Sequence, residues 1–170
     1  LLPYGLVSVG VCWRLRIAAS DSVHEARKKL LDAFVPIFGD GAEEQAALLG
    51  QLLGLDFTGS PFIAGIIGDP KQIRDRAFHA AAQYFRRLAQ SAPVSMLLED
   101  LHWADEGSLD FINHIAQSFR DLPMLVLCSA RPVLFERRPL WGSGQRNPEL
   151  LGLAAPAPRS RRRPEAGRAH

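Results

Sequence analysis

Two short apolar segments, separated by one amphipathic segment, constrain the fold of this chain more than any other feature. They span residues 94–98 and 124–129, and each directly follows a proline. Their length and flanks favour buried strands over buried helix. Between them Asp105 can cap a helix whose inward face carries Leu109, Ile112, Ala116 and Phe119. Strand, helix and strand of these lengths predict a βαβ unit with parallel strands and a right-handed crossover.

Helix signals occupy most of the region before the first strand. Ser22, followed three residues later by Glu25, is a capping-box signature and predicts a helix that runs on until Pro36 disturbs it. A second helix is predicted over about residues 42–53 because its leucines fall on one face. Residues 54–68 are glycine-rich and apolar, and they are predicted to form a loop.

The clearest helical segment begins at Asp69 and Pro70, which suit the N-cap and the first helical position. It must end before Pro93. Its apolar stripe consists of Ile73, Ala77, Ala80, Ala81, Tyr84 and Leu88.

Residues 6–14 lack a helical pattern, because apolar and polar side chains alternate there with a period of two. That alternation predicts a half-buried strand, and a helix is the alternative that the sequence leaves open.

Composition favours one folded domain over residues 1–145 and a disordered basic tail over residues 146–170. The whole chain of 170 residues is 47% hydrophobic and 22% charged, as is typical of a soluble globular protein. The tail holds six Arg against two Glu and four of the twelve prolines. Because the basic charge lies in the tail, the domain itself is not expected to bind nucleic acid. No apolar run approaches the roughly 20 residues of a membrane span.

Two adjacent acids, Glu99 and Asp100, follow the first predicted strand. A parallel strand that ends in acids brings carboxylates to the carboxyl edge of the sheet, where ligands of open α/β sheets bind. Nucleotide hydrolysis needs a carboxylate on Mg²⁺ and a group that orients the attacking water. The motif alone is also compatible with a strand that simply ends in solvated acids.

The residues after Glu99 and Asp100 favour the nucleotide-hydrolysis interpretation over solvated acids at a strand end. The run Glu99-Asp100-Leu101-His102-Trp103-Ala104-Asp105 resembles the extended Walker B segment of the signal-transduction (STAND-type) ATPases in the AAA-like P-loop group. The nearest modules are those coupled to class III adenylate/guanylate cyclase domains and to large LuxR-type transcriptional regulators. Further similar segments are Leu2-Pro3-Tyr4-Gly5, residues 52–57, 69–70 and 74–78, the sensor-strand segment 125–132 and residues 136–141. The resemblance therefore covers about residues 1–145.

The resemblance implies an α/β fold, namely a partial P-loop NTPase three-layer fold with a short parallel sheet and flanking helices. It implies that Glu99 is the Mg²⁺-side acid and that Asp100 polarises the hydrolytic water, so both are candidate metal ligands. Arg131 falls where the family's sensor arginine contacts the terminal phosphate; the alternative is a surface arginine at a strand end. His102 and Trp103 are expected to pack behind the acids and orient them.

The phosphate-binding loop is the missing part. The sequence contains no G-x-x-x-x-G-K-[ST] motif, and none of its three lysines follows a glycine. That loop cradles the phosphates through backbone N–H groups, a lysine and a Ser/Thr on Mg²⁺. ATP and Mg²⁺ are thus implied for an intact parent protein, and neither is expected to bind tightly to this chain. The chain is expected to start downstream of the loop and first strand, and the change after residue 145 suggests a truncated or frameshifted reading frame.

Two functions remain open for the domain, and a third, nucleic-acid binding by the basic tail of residues 146–170, is the least favoured. One is a segment of a cytoplasmic ATP-hydrolysing switch that reports to an attached cyclase or DNA-binding output domain, with oligomerisation possible. The other is a nucleotide-independent interaction module derived from a degenerate ATPase. Four arginines lie on the outer face of the long helix, and a solvated face is the favoured interpretation over a phosphate-sensing group: Arg74, Arg76, Arg86 and Arg87. An unpaired apolar edge at residues 124–129 also predicts marginal solubility.

Overall fold

Seven α-helices and two strands make up the part of the chain that the structure describes. The computed structural model describes residues 4–118 and 122–143. The predicted tail, the domain boundary near residue 145, residues 1–3 and Phe119 lie outside that part. The elements are α1 (Gly5–Arg14), α2 (Val23–Phe38), α3 (Ala42–Leu52), α4 (Pro61–Ala64), α5 (Pro70–Ser91), β1 (Val94–Leu98), α6 (Glu106–Ser118), β2 (Met124–Cys128) and α7 (Val133–Arg137).

The predicted strand, helix and strand are all present. β1 and β2 form a parallel pair whose register runs from Val94 opposite Met124 to Leu98 opposite Cys128. α6 lies between them in sequence. The described residues therefore have an α/β arrangement of helices with one small, two-stranded parallel sheet. This arrangement brings the two strand ends, and the polar residues that follow them, to the same edge of the sheet.

One face of the sheet is open, so the prediction of buried strands is wrong for that face. Leu97, Leu125 and Leu127 are 63%, 60% and 54% exposed. On the opposite face Leu98 and Val126 pack against a small apolar cluster that comes from α6, α7 and the turn after β1. Side chains alternate between faces along each strand, which is why neighbouring residues have such different surroundings. Parallel sheets normally bury both faces, so these leucines form an unusual apolar surface.

We expect Leu125→Lys to raise the soluble concentration of the isolated chain. The substitution removes an exposed leucine from the open face and adds a charge that opposes edge-to-edge association. Because the side chain is already largely in water, the free energy of unfolding should change by less than about 0.5 kcal/mol. Static light scattering across a concentration series measures the effect. Ser95→Lys adds the same charge at the residue paired with Leu125 but keeps the leucine; an equal gain from both variants would show that net charge alone is responsible.

The main core lies between α2, α3 and α5. Leu30 and Phe34 of α2 are almost completely buried and pack in one cluster with Leu49 of α3 and Tyr84 of α5. The rings of Phe34 and Tyr84 are stacked with their centroids 4.9 Å apart. The apolar stripe predicted for α5 is buried except at Leu88, which is partly exposed. Amphipathic periodicity thus identified the faces that form the core.

Side-chain caps begin the two longest helices as predicted. At α2 the Glu25 N–H donates to Ser22 Oγ at 3.2 Å, and the Ser22 N–H donates to Glu25 Oε2 at 2.8 Å. At α5 the Gln72 N–H donates to Asp69 Oδ1 at 3.0 Å, and Pro70 is in the first turn. These bonds satisfy N–H groups that a helix start otherwise leaves unpaired.

Residues 6–14 are helical, so the predicted strand is wrong. They belong to α1, which buries Val7 and leaves Val9 and Trp13 69% and 81% exposed. The alternation of apolar residues therefore does not follow burial. The first backbone N–H groups of this helix are satisfied from a distant part of the chain, by the Asp105 carboxylate. A tertiary contact of this kind overrides the low helix propensity of a valine-rich segment.

Two smaller predictions also need correction. α2 continues past Pro36 to Phe38, where Arg87 Nη1 donates to the Ile37 carbonyl at 2.8 Å and supports the helix end. The predicted loop at 54–68 contains the short helix α4, whose start is capped by Ser60. Among the described residues, no helix combines the length and apolar composition that crossing a bilayer requires.

Candidate functional site

The candidate site is the carboxyl edge of the sheet. Glu99 and Asp100 follow β1 directly, and Arg131 follows β2 after two intervening residues. Because the strands are parallel and in register, the segments that carry the three residues leave the sheet at the same edge. All three residues are exposed. The structure therefore brings the acid segment and the arginine segment predicted from sequence to one edge.

The chain turns sharply at Asp100. Its backbone is left-handed, with φ 56° and ψ 36°, and it leads into a 3-10 turn over Leu101–Trp103. The left-handed region costs a residue other than glycine about 1–2 kcal/mol, although aspartate tolerates it better than most. The turn is held because the Asp100 N–H donates to Ser129 Oγ at 3.3 Å and the Leu101 N–H donates to the Ser129 carbonyl at 3.0 Å.

His102 lies behind the acids, as the sequence predicted, whereas Trp103 does not. The His102 residue is 5% exposed, and its Nδ1 is 3.4 Å from the Arg131 backbone nitrogen, whose N–H donates to it. The same Nδ1 is 3.8 Å from Asp100 Oδ1, too far for a hydrogen bond. Trp103 is 72% exposed, so the expectation that it packs behind the acids is wrong. Its ring only flanks that of His102, with the centroids 5.0 Å apart.

Asp105 caps two helices at once. At the start of α6, the Asp105 carboxylate accepts hydrogen bonds from the Ser108 N–H at 2.9 Å and the Ser108 hydroxyl at 2.6 Å. It also accepts the N–H groups of Tyr4 and Gly5, at 2.9 Å and 3.0 Å, at the start of α1. Partial burial raises the pKa of this carboxyl, but the four hydrogen bonds outweigh that effect and hold the pKa below its ordinary value. The predicted capping role of Asp105 is confirmed, and its second helix was not foreseen.

Two arginines after β2 have contacts that the sequence did not predict: Arg137 holds the turn that follows Glu99 and Asp100, and Arg138 pairs with α6. Arg137 donates to the carbonyls of His102 and Ala104 at 3.3 Å and 2.7 Å. Arg138 pairs with Glu106 and with Asp110, the second at 2.5 Å. The spacing of four residues between Glu106 and Asp110 places both acids on one face of α6. The Glu106 and Asp110 pair, followed downstream by two adjacent arginines, was the only feature of the sequence that could have predicted these ion pairs.

Three of the four arginines on the outer face of α5 have structural contacts with described residues. Arg86 donates to the Ser118 carbonyl at 3.2 Å and Arg87 to the Ile37 carbonyl, so each satisfies a carbonyl at a helix end. Arg74 pairs with its neighbour Asp75 at 3.1 Å. These contacts favour the solvated-face interpretation over a phosphate-sensing group.

The edge offers an incomplete ligand set for a metal ion. Among the described residues, no group of three or more His, Cys, Asp or Glu side chains could hold a metal. Two carboxylates alone fit an ion such as Mg²⁺ that keeps several waters and takes further oxygens from a phosphate. Among the described residues, Glu99 and Arg131 have no side-chain hydrogen bond or ion pair. A surface hollow of about 540 Å³ lies elsewhere, between α3 and α5.

Comparison with known proteins identifies one similar segment. Over 64 residues the chain is 31% identical to an uncharacterized protein of Rhizobium meliloti (strain 1021). The match covers 38% of this chain and 6% of that protein, so a segment like this one occurs within a far longer polypeptide. No protein-family model matches the chain, and no solved structure matches it.

Proposed function

We propose that this chain is the Walker B and sensor part of a nucleotide-dependent switch module. The observation that carries the proposal is the parallel, in-register pairing of β1 and β2, after which the Glu99–Asp100 and Arg131 segments lie side by side. This arrangement suits Mg²⁺ coordination by Glu99, orientation of the attacking water by Asp100 and contact between Arg131 and the terminal phosphate. The left-handed backbone at Asp100 supports a functional site, since strain of this kind concentrates at such sites.

The chemistry proposed here needs a phosphate-binding loop that this sequence does not contain. Without it two carboxylates face the phosphates of ATP with one arginine, an arrangement that is net repulsive. ATP and Mg²⁺ would therefore act only where another part of the polypeptide supplies the loop. The similarity to 6% of a much longer protein supports a place within a long polypeptide. We propose a cytoplasmic regulator with a cyclase or DNA-binding output domain.

Calorimetric titration with ATP and Mg²⁺ tests this function on two polypeptides, the chain itself and the chain extended by the coding sequence upstream of it. We expect no saturable binding by the chain alone at about 1 mM ligand, and submillimolar binding once the loop is present. In the extended form, Glu99→Gln should weaken Mg²⁺-ATP about tenfold, which corresponds to about 1.4 kcal/mol. It should leave ATP without metal unchanged.

Two variants sharpen this experiment. Asp100→Asn should abolish hydrolysis but keep nucleotide binding, because the water-orienting group contributes mainly to the chemical step. Glu43→Gln removes an equivalent charge from an exposed position on α3 and should change neither property. Submillimolar binding by the chain alone, or an equal loss in the Glu43 and Glu99 variants, would contradict the assignment of the site.

A nucleotide-independent interaction module is the second candidate. The open sheet face formed by Leu97, Leu125 and Leu127 favours it, since apolar surfaces of this kind often mark contacts with other proteins. The two candidates give opposite results in the same titration. An extended polypeptide that carries a phosphate-binding loop and still binds no nucleotide would support the interaction module.

A further inference from the structure

We propose that His102 is a positioning residue that fixes the backbone of Arg131 to the acid-bearing turn. The Nδ1 atom of its ring accepts the Arg131 N–H at 3.4 Å. Through this bond the two segments of the site move as one unit. The importance of the link for nucleotide sensing rests on the function proposed above, whereas the link itself follows from the geometry alone.

The bond continues a series that begins within the sheet. The Ser129 N–H donates to the Leu98 carbonyl at 2.9 Å, and the Leu101 N–H returns to the Ser129 carbonyl at 3.0 Å. After this point the acid-bearing chain turns away into the 3-10 turn, and a backbone ladder between the segments cannot continue. The His102 side chain supplies the next acceptor. It therefore links Arg131 to the 3-10 turn at a point where the two backbones no longer pair.

The ring is held firmly enough to do this. The His102 side chain is 2% exposed, and the residue before it, Leu101, is completely buried. The His102 carbonyl accepts a hydrogen bond from Arg137 at 3.3 Å, which fixes the turn from its other side. Because the Arg131 N–H donates to Nδ1, that nitrogen carries no proton, and in the neutral ring the proton lies on Nε2.

Packing alone does not explain a histidine at this position. Nε2 is buried and has no hydrogen-bond partner among residues 4–118 and 122–143. A buried polar atom without a partner lowers stability, and a leucine would fill a similar volume without that cost. A polar ring that the core does not need is best explained by the acceptor that it provides to Arg131.

Nuclear magnetic resonance on the full chain tests the proposal. At neutral pH we expect the ¹⁵N shifts of His102 to show an unprotonated Nδ1, and we expect a scalar coupling across the hydrogen bond between Nδ1 and the Arg131 amide nitrogen. In His102→Leu the Arg131 amide should exchange with solvent faster, by roughly 2- to 13-fold for a hydrogen bond of ordinary net strength. His102→Asn places an oxygen close to the position of Nδ1 and should restore the protection.

Two controls separate positioning from a general structural role. Trp103→Leu changes the neighbouring exposed ring and should leave the Arg131 amide unaffected. His102→Leu should unfold at the same or a higher denaturant concentration, because it removes the unpaired Nε2. A protonated Nδ1, or equal Arg131 exchange rates in the leucine and wild-type chains, would overturn the proposal. The wild-type coupling decides the matter even if a variant fails to fold. Should the coupling be present while the extended chain binds no nucleotide, the link stands and the nucleotide function fails.

Discussion

Replacing Asp105 with alanine should lower the free energy of unfolding by about 3 kcal/mol, because one carboxylate caps two helices and a cap contributes up to about 2 kcal/mol. The variant leaves the N–H groups of Tyr4, Gly5 and Ser108 without this acceptor. Hydrogen bonds to a charged acceptor are stronger than neutral ones, so the estimate lies in the upper part of the range for two caps. Denaturant unfolding followed by circular dichroism measures the loss.

The same carboxylate should make stability depend on pH in the acid range. Its pKa in the folded chain lies below its ordinary value of 3.8, so folding favours the ionised form. The stabilisation is therefore complete above that value and is lost as the pH falls through the lowered pKa of the folded state. Unfolding free energies of wild type and Asp105→Ala should differ most near neutral pH and converge in acid. A constant difference down to low pH would mean that the ionised form has no special role.

Asp105→Asn is the matched control for this experiment. It keeps one oxygen acceptor and loses the charge, so its cost should be about half that of the alanine variant. Hydrogen exchange distinguishes the two helices, because amides at the start of both α1 and α6 should lose protection in Asp105→Ala. Loss at α6 alone would show that the contact with Tyr4 and Gly5 does not stabilise the fold in solution.

The second large effect is expected at Gly50, where alanine should cost about 2 kcal/mol, within the range for overpacked cores. A methyl group there would lie 2.2 Å from Phe57 Cε2 and 2.9 Å from Leu30 Cδ2. Leu30 is completely buried, and the Phe57 backbone N–H is held by the Gln51 side chain at 2.8 Å. A methyl group would therefore displace either the buried Leu30 side chain or the Phe57 ring, which stacks under Arg27 with the guanidinium carbon 5.0 Å from the ring centroid, and either shift loses packing contacts.

Gly10 provides a control, because alanine there should change the free energy of unfolding in the opposite direction. It also lies inside a helix, but a methyl group there would have no neighbour within 4 Å. Gly10→Ala should stabilise the chain by up to about 1 kcal/mol, because alanine favours a helix over glycine. Thermal and denaturant unfolding of both variants give the comparison. If both alanines were stabilising, the close packing of α2, α3 and Phe57 would not exist in solution.

The parts of the fold that sequence predicted depend on local signals. The capping box at Ser22, the Asp69-Pro70 start of α5 and the apolar segments 94–98 and 124–129 each act within a few residues, and each is present in the structure. The parallel strands bring the acid segment to the carboxyl edge, as predicted, and they bring Arg131 to the same edge, where only the family resemblance had placed it.

The errors occurred where distant residues decide the outcome. α1 was predicted as a strand because nothing near it in sequence announces that Asp105 caps it. The open face at Leu125 was predicted to be buried because an apolar run carries no information on whether another layer covers it. Arg137 contacts the carbonyls of the acid-bearing turn through the path of the chain after β2, which composition and spacing do not reveal.

The contact between Asp105 and the start of α1 also sets an order of events during synthesis. Tyr4 and Asp105 are 101 residues apart in the sequence. A ribosome that adds roughly 5–20 residues per second needs about 5–20 s to make that interval. Throughout that time α1 lacks its cap, whereas α2 and α3 can already pair. The first described helix is therefore among the last to become fixed, and Val7, which it buries in the folded chain, is open to chaperones while the rest is made.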